Sequence, residues 1–65
     1  MKITYEFLDG RRGMQSFESV DEFIMLQNRE IPAIDDSAKV LSVDIDGEAY
    51  DFSGNVADLF FKLNQ

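Results

Sequence analysis

Three clusters in this chain carry residue types capable of chemistry, and each has an ordinary structural reading beside it. Asp44, Asp46 and Glu48 bring three carboxylates around Gly47, a grouping that looks like a calcium loop. A calcium-binding EF-hand supplies oxygens at positions 1, 3 and 5, glycine at 6 and a bidentate glutamate at 12. Here the glycine comes fourth and no flanking helices are expected. Asp46-Gly47 reads instead as a two-residue type I′ hairpin turn. Arg11-Arg12, the only basic pair, sits between Gly10 and Gly13 and could grip a phosphate or a carboxylate. Its plain reading is a solubilising loop tip that pairs with Glu6 or Asp9. Asp35-Asp36 could act as paired carboxylates, yet both fall among turn residues. Histidine and cysteine are absent, which removes the usual general base and the usual thiolate nucleophile. The chemistry points away from an enzyme, with no catalytic residue, metal or cofactor expected.

The elements that position these clusters read as one unit written twice. Phe7-Leu8-Asp9-Gly10, Phe17 and Val20 to Asn28 form a first copy; Asp44-Ile45-Asp46-Gly47, Phe52 and Val56 to Asn64 form a second. A unit that cannot bury its own apolar face must be covered by its neighbour. Lys2 to Leu8 alternates, with Ile3, Tyr5 and Phe7 on one face, and predicts a half-buried strand. Met14 to Phe17 is the returning strand. Ser19 and Glu22 make a capping box for a helix from Val20 to about Arg29, with Val20, Phe23, Ile24 and Gln27 on its inner stripe. Pro32 stops any continuation, and Ile31 and Ile34 are expected to tuck into the core from the connector.

A third strand, Val40 to Ile45, is expected to face inward through Leu41, Val43 and Ile45. The two-residue turn then sets Ile45 against Glu48, Val43 against Tyr50 and Leu41 against Phe52. Asn55 caps a last helix whose Val56, Leu59, Phe60 and Leu63 form an apolar stripe. The predicted fold is α+β, ββαββα, a four-stranded antiparallel sheet with two helices on one face and an internal pseudo-twofold. Residues 1–65 make one domain, with repeats at 1–30 and 39–65 and a connector at 31–38. Strand orders 2-1-3-4 and 1-2-4-3 both satisfy the pseudo-symmetry.

The repeat also supplies the candidate binding residues. Met25 and Phe61 are equivalent, large and apolar, and fall just off the inner stripe of their helices. Either they meet across the internal axis, or they form an exposed patch for a partner or a second copy. Leu8 and Met14 are apolar residues that the strand register leaves outside the core, at a rim or sheet edge. Arg11 and Arg12 complete the candidate partner-binding set.

Net charge is −7, from 13 acidic and 6 basic residues, which favours solubility and repels phosphate backbones. Binding of nucleic acid through Arg11 and Arg12 is therefore disfavoured. The outer sheet face, with Lys2, Thr4, Glu6, Ser42, Asp44 and Asp51, reads as acidic. The first functional expectation is a non-enzymatic protein-interaction or regulatory module, able to form a homodimer. The alternative is an acidic mimic of nucleic acid that occupies the basic groove of a DNA- or RNA-binding protein. No apolar run reaches the ~18 residues of a membrane span, and Met1-Lys2-Ile3 leads into strand pattern rather than a signal peptide. With the absent cysteines, this reads as cytoplasmic and without a membrane partner.

In size, acidity and the two-copy ββα pattern around Asp9-Gly10 and Asp46-Gly47, the chain resembles short uncharacterised proteins of low-GC Gram-positive bacteria. The resemblance spans the whole chain. It implies a bacterial cytoplasmic origin and carries over no site residue.

Overall fold

The computed structural model describes residues 1–65. The order of elements is β1 (Lys2–Glu6), β2 (Arg12–Ser16), α1 (Val20–Gln27), β3 (Lys39–Ile45), β4 (Glu48–Tyr50) and α2 (Val56–Leu63). The four strands form one antiparallel sheet in the order β2-β1-β3-β4. This selects 2-1-3-4 from the two orders that symmetry allows. The hairpins lie outside, and β1 and β3 meet at the internal pseudo-twofold. The fold is the predicted α+β ββαββα.

Both turns follow from their residues. Asp46 and Gly47 take φ of 53° and 81°, the double positive φ that defines a type I′ turn. The pairs Ile45–Glu48, Asp44–Ala49 and Val43–Tyr50 form as predicted. In the first hairpin the Phe7 N–H donates to Arg11 O at 2.7 Å and the Gly10 N–H to Phe7 O at 2.9 Å. That closes a three-residue loop over Leu8, Asp9 and Gly10, so β1 stops at Glu6 rather than Leu8 and β2 begins at Arg12 rather than Met14. Gly13 is bare for a packing reason. A Cβ there would lie 2.7 Å from the Tyr5 hydroxyl.

The helices start on side-chain caps. Ser19 Oγ accepts from the Glu22 N–H, but Glu22 Oε2 accepts from the Glu18 N–H rather than the expected Ser19 N–H. In α2 the box is complete: Asn55 Oδ1 accepts from the Asp58 N–H at 2.8 Å, and the Asn55 N–H donates to Asp58 Oδ2 at 3.3 Å. Helix α1 ends at Gln27, two residues early. The Asn28 N–H closes on Ile24 O and the Arg29 guanidinium donates to Leu26 O, satisfying carbonyls that a further turn would have bonded.

The core lies between sheet and helices and is built on Ile3, Phe17, Phe23, Ile34, Ala38, Val40, Val43, Val56 and Leu59. Phe23 is fully buried and meets Phe17 and Phe60 edge-on, with centroids 5.3 and 6.5 Å away. Two expectations of inward residues are corrected here. Leu41 is exposed and Val40 is buried, because a bulge between the Thr4–Ser42 and Tyr5–Val40 pairs leaves Leu41 as an extra residue. One inserted residue reverses the alternation beyond it. The same stretch removes the Leu41–Phe52 pair: β4 ends at Tyr50, and the chain rejoins β3 only where Val40 N–H donates to Gly54 O. Ile31 is 81% exposed, while Ile34 and Ala38 anchor the connector in the core.

Gln27 explains that division of labour. Its side chain is buried, yet it donates to Ile34 O at 2.6 Å and Asp36 Oδ1 at 2.7 Å, and accepts from the Ile34 N–H at 3.0 Å. The amide satisfies both backbone groups of Ile34, the large connector side chain that is tucked in. Placed on the inner stripe by periodicity, Gln27 acts as the pin of the connector.

Candidate functional site

The clusters that first suggest chemistry are mostly absorbed by the fold. Asp44 is a strand residue, Asp46 forms the turn and Glu48 starts β4. No three His, Cys, Asp or Glu side chains converge as a metal-ligand group. Arg11 Nε lies 2.7 Å from Asp9 Oδ2, and its guanidinium sits over the Phe7 ring at 5.1 Å. Arg12 Nε lies 3.3 Å from Glu6 Oε1. The loop-tip arginines therefore pair with the two acids that the plain reading names. Backbone and side-chain hydrogen bonds from Arg11 hold the Asp9 carboxyl below its ordinary value. The backbone and hydroxyl of Ser37 do the same for Asp35. Each is an exposed local turn contact, and neither carboxylate faces a cleft.

Two shallow depressions flank Met1 at one end of the sheet. One, of about 230 Å³, is lined by Met1, Ser19, Val20, Asp21, Ile45 and Asp46. The other, about 300 Å³, lies against Met1, Lys2, Phe17 and the Asp46-Gly47 turn. The Ser19 hydroxyl is committed to its cap. The second also takes in Ser16 and Asp44 beside Lys2.

The apolar candidates form the distinctive surface. Met25 is 62% exposed and Phe61 72% exposed. So exposed, they do not seal an internal seam; Phe23 and Phe60 meet between the helices instead. Counting ~100° per residue, Met25 and Phe61 each stand nearly opposite the fully buried residue two positions earlier, Phe23 and Leu59. The helix layer thus presents a large apolar side chain to solvent from each repeat. Leu8 is exposed at the tip of the first hairpin. Met14 pairs with Thr4, which pairs with Ser42, so Met14 lies on the open sheet face. Leu41, missed from sequence, joins it there through the bulge. No periodicity signal locates a bulge in advance.

The electrostatics of that open face need correction. The ladders add Arg12 and Lys39 to Lys2, opposite Glu6 and Asp44. The laddered part of the face is charge-alternating rather than acidic, while Asp46, Glu48 and Asp51 stay exposed beside it.

These features define a class, a small α+β domain with one open sheet face and exposed apolar side chains on its helix layer. The chain belongs to the family described as "Domain of unknown function (DUF4649)", which matches residues 1–65. Among solved structures, a conserved domain protein from Streptococcus pneumoniae TIGR4 is similar, with 26% sequence identity and a TM-score of 0.83. The match covers 98% of this chain and 88% of that one. No curated protein matches. An uncharacterised family with a streptococcal structural relative fits the low-GC Gram-positive resemblance. No helix is long and apolar enough to cross a membrane.

Proposed function

We propose that this chain is a small non-enzymatic module that binds a protein partner through the solvent side of its helix layer. The observation that supports this reading is the exposure of Met25 and Phe61 at repeat-equivalent positions. Burying such side chains is worth roughly 1.5–3 kcal/mol each, a gain that the fold leaves uncollected and a partner can take. Methionine adapts its shape to a docking surface, and Phe supplies a rigid anchor.

The test uses Met25→Asp and Phe61→Asp. Each variant should keep its circular dichroism and stay within roughly 0.5 kcal/mol of the parent in urea, as surface substitutions do. Each should weaken a partner recovered by the parent chain from host lysate by at least tenfold, measured with the purified partner by calorimetry. Unfolded variants, or unchanged affinity, would overturn the reading. Affinity that instead collapses with added salt, as phosphate-type contacts do, would favour the charge-mimic alternative.

A further inference from the structure

The open face of the sheet carries a charge pattern that is complementary to itself. On the two central strands Lys2 stands opposite Asp44, and Glu6 stands opposite Lys39. Basic-acidic at one end and acidic-basic at the other makes a checkerboard. Neither pair closes into an ion pair within the chain; the ion pairs present are Arg11–Asp9 and Arg12–Glu6. Between the charged rows runs a middle row of Met14 and Thr4, with Leu41 and Ser42 at the bulge. Met14 is 60% exposed and Leu41 38%.

We propose that this face binds a second copy of the chain, related by a twofold axis that runs along the middle row. A twofold contact requires one patch to complement itself. This rotation lays each strand over its own counterpart with the ends exchanged. Glu6 then faces Lys2 of the second copy, Lys39 faces its Asp44, and Met14 and Leu41 each face their own equivalents. A twofold along the strands would also match the charges, but it would carry Met14 over the polar β4 side. Only the row axis sets apolar on apolar. Packed sheets lie ~10 Å apart, a gap filled by side chains from each face.

The interface is small. Four strands ~4.8 Å apart and about five residues long cover roughly 300 Å² in projection, against about 800 Å² per partner in a standard complex. The dimer is accordingly weak and concentration-dependent. It goes beyond the helix-layer reading and leaves Met25 and Phe61 free.

Sedimentation equilibrium from about 10 μM to about 1 mM, in salt of ~0.15 M to screen the like net charges, should show the 7.4 kDa chain approaching twice its mass. Asp44→Lys and Lys39→Glu, each checked as folded by circular dichroism, should each weaken association at least tenfold. Mixed together they should recover it, because in the row-axis heterodimer both contacts between positions 39 and 44 again set a basic side chain against an acidic one. Met14→Arg, at an exposed site, should also be monomeric. Met25→Asp should associate like the parent. A parent that stays at 7.4 kDa throughout, a mixture that fails to recover, or unchanged association of Met14→Arg would overturn the proposal. So would loss of association in Met25→Asp, which would move the contact to the helices.

Discussion

The two ββα units reach the same shape by different means. In the first, β1 and β2 pair over five residues and the loop is locked by Arg11 on Asp9 and Phe7. In the second, β4 pairs over only three residues across a bare type I′ turn. The chain then wanders through 51–54 before rejoining β3. The first helix has half a capping box and the second a full one. On the outer flank, Leu26 packs against the core in the first unit, while Lys62 lies over the Tyr50 and Phe52 rings at 5.3 and 5.8 Å in the second. Equivalent positions can thus be covered by an apolar side chain or by the stem and cation of a lysine. Repetition constrains the geometry; it leaves the chemistry at each position free.

The largest test of this asymmetry lies in the core. Phe23 and Leu59 are equivalent and fully buried, and Phe23 meets an aromatic ring edge-on in each unit. Phe23→Ala should cost about 3–5 kcal/mol and Leu59→Ala about 2–5 kcal/mol, with Phe23→Ala the worse of the two. A domain of this length has only roughly 3–10 kcal/mol in total, so either substitution should remove a large share of its stability. Urea titrations of the two variants decide the order. The reverse ranking would mean that the core is centred on the second unit.

Next comes the pair Gln27 and Leu63, again equivalent positions. Gln27→Leu removes three hydrogen bonds and strands the buried Ile34 N–H and C=O. It should cost about 2–3 kcal/mol and raise amide exchange across 31–38. Leu63→Gln, at a half-buried helix end, should cost about 1 kcal/mol. Equal costs would show that the connector holds without its pin.

How much of this was legible follows from the range of each interaction. Turns, caps and helical stripes depend on residues a few positions apart, so Asp46-Gly47, Ser19, Asn55 and the Val56–Leu63 stripe could be read directly. Strand order, the Leu41 bulge and the exposure of Ile31 depend on how β1 meets β3 and how the connector folds back. A glutamine at a stripe position gives no local hint that it will bind a distant backbone. The charge checkerboard was hidden for the same reason. Lys2 and Asp44, or Glu6 and Lys39, become neighbours only through the β1–β3 register. Met25 and Phe61 were legible as equivalent, but helical periodicity alone did not choose between seam and surface.

A smaller effect separates the two flanks. Leu26→Lys asks a lysine to cover a surface without the Tyr50–Phe52 pair beneath it, and should cost about 1–2 kcal/mol of lost burial. Lys62→Leu makes the second unit like the first. It trades an exposed cation–π contact for apolar packing, and should change stability by less than about 1 kcal/mol. Thermal melts suffice to compare them. If Lys62→Leu costs as much as Leu26→Lys, the lysine contributes more than a covering stem.

The smallest effect is electrostatic and belongs to the first loop and the connector. Asp9 and Asp35 have carboxyls held below their ordinary value, chiefly by backbone N–H donors from Arg11 and Ser37 and secondarily by those residues' side chains. A group whose value is lowered by folding adds stability above its unfolded value and loses it as pH falls through the folded one. The contribution is therefore present at neutral pH and disappears only in acid. Because the two carboxyls are exposed, solvent screening keeps it slight. Carboxyl chemical shifts followed through acid titration should place Asp9 and Asp35 below ordinary aspartates. Arg11→Ala and Ser37→Ala should raise them only part of the way, since the backbone donor survives each substitution. A full return in Arg11→Ala would mean that the ion pair, rather than the turn itself, locks the first hairpin. The loop would then differ from the bare Asp46-Gly47 turn in kind and not only in length.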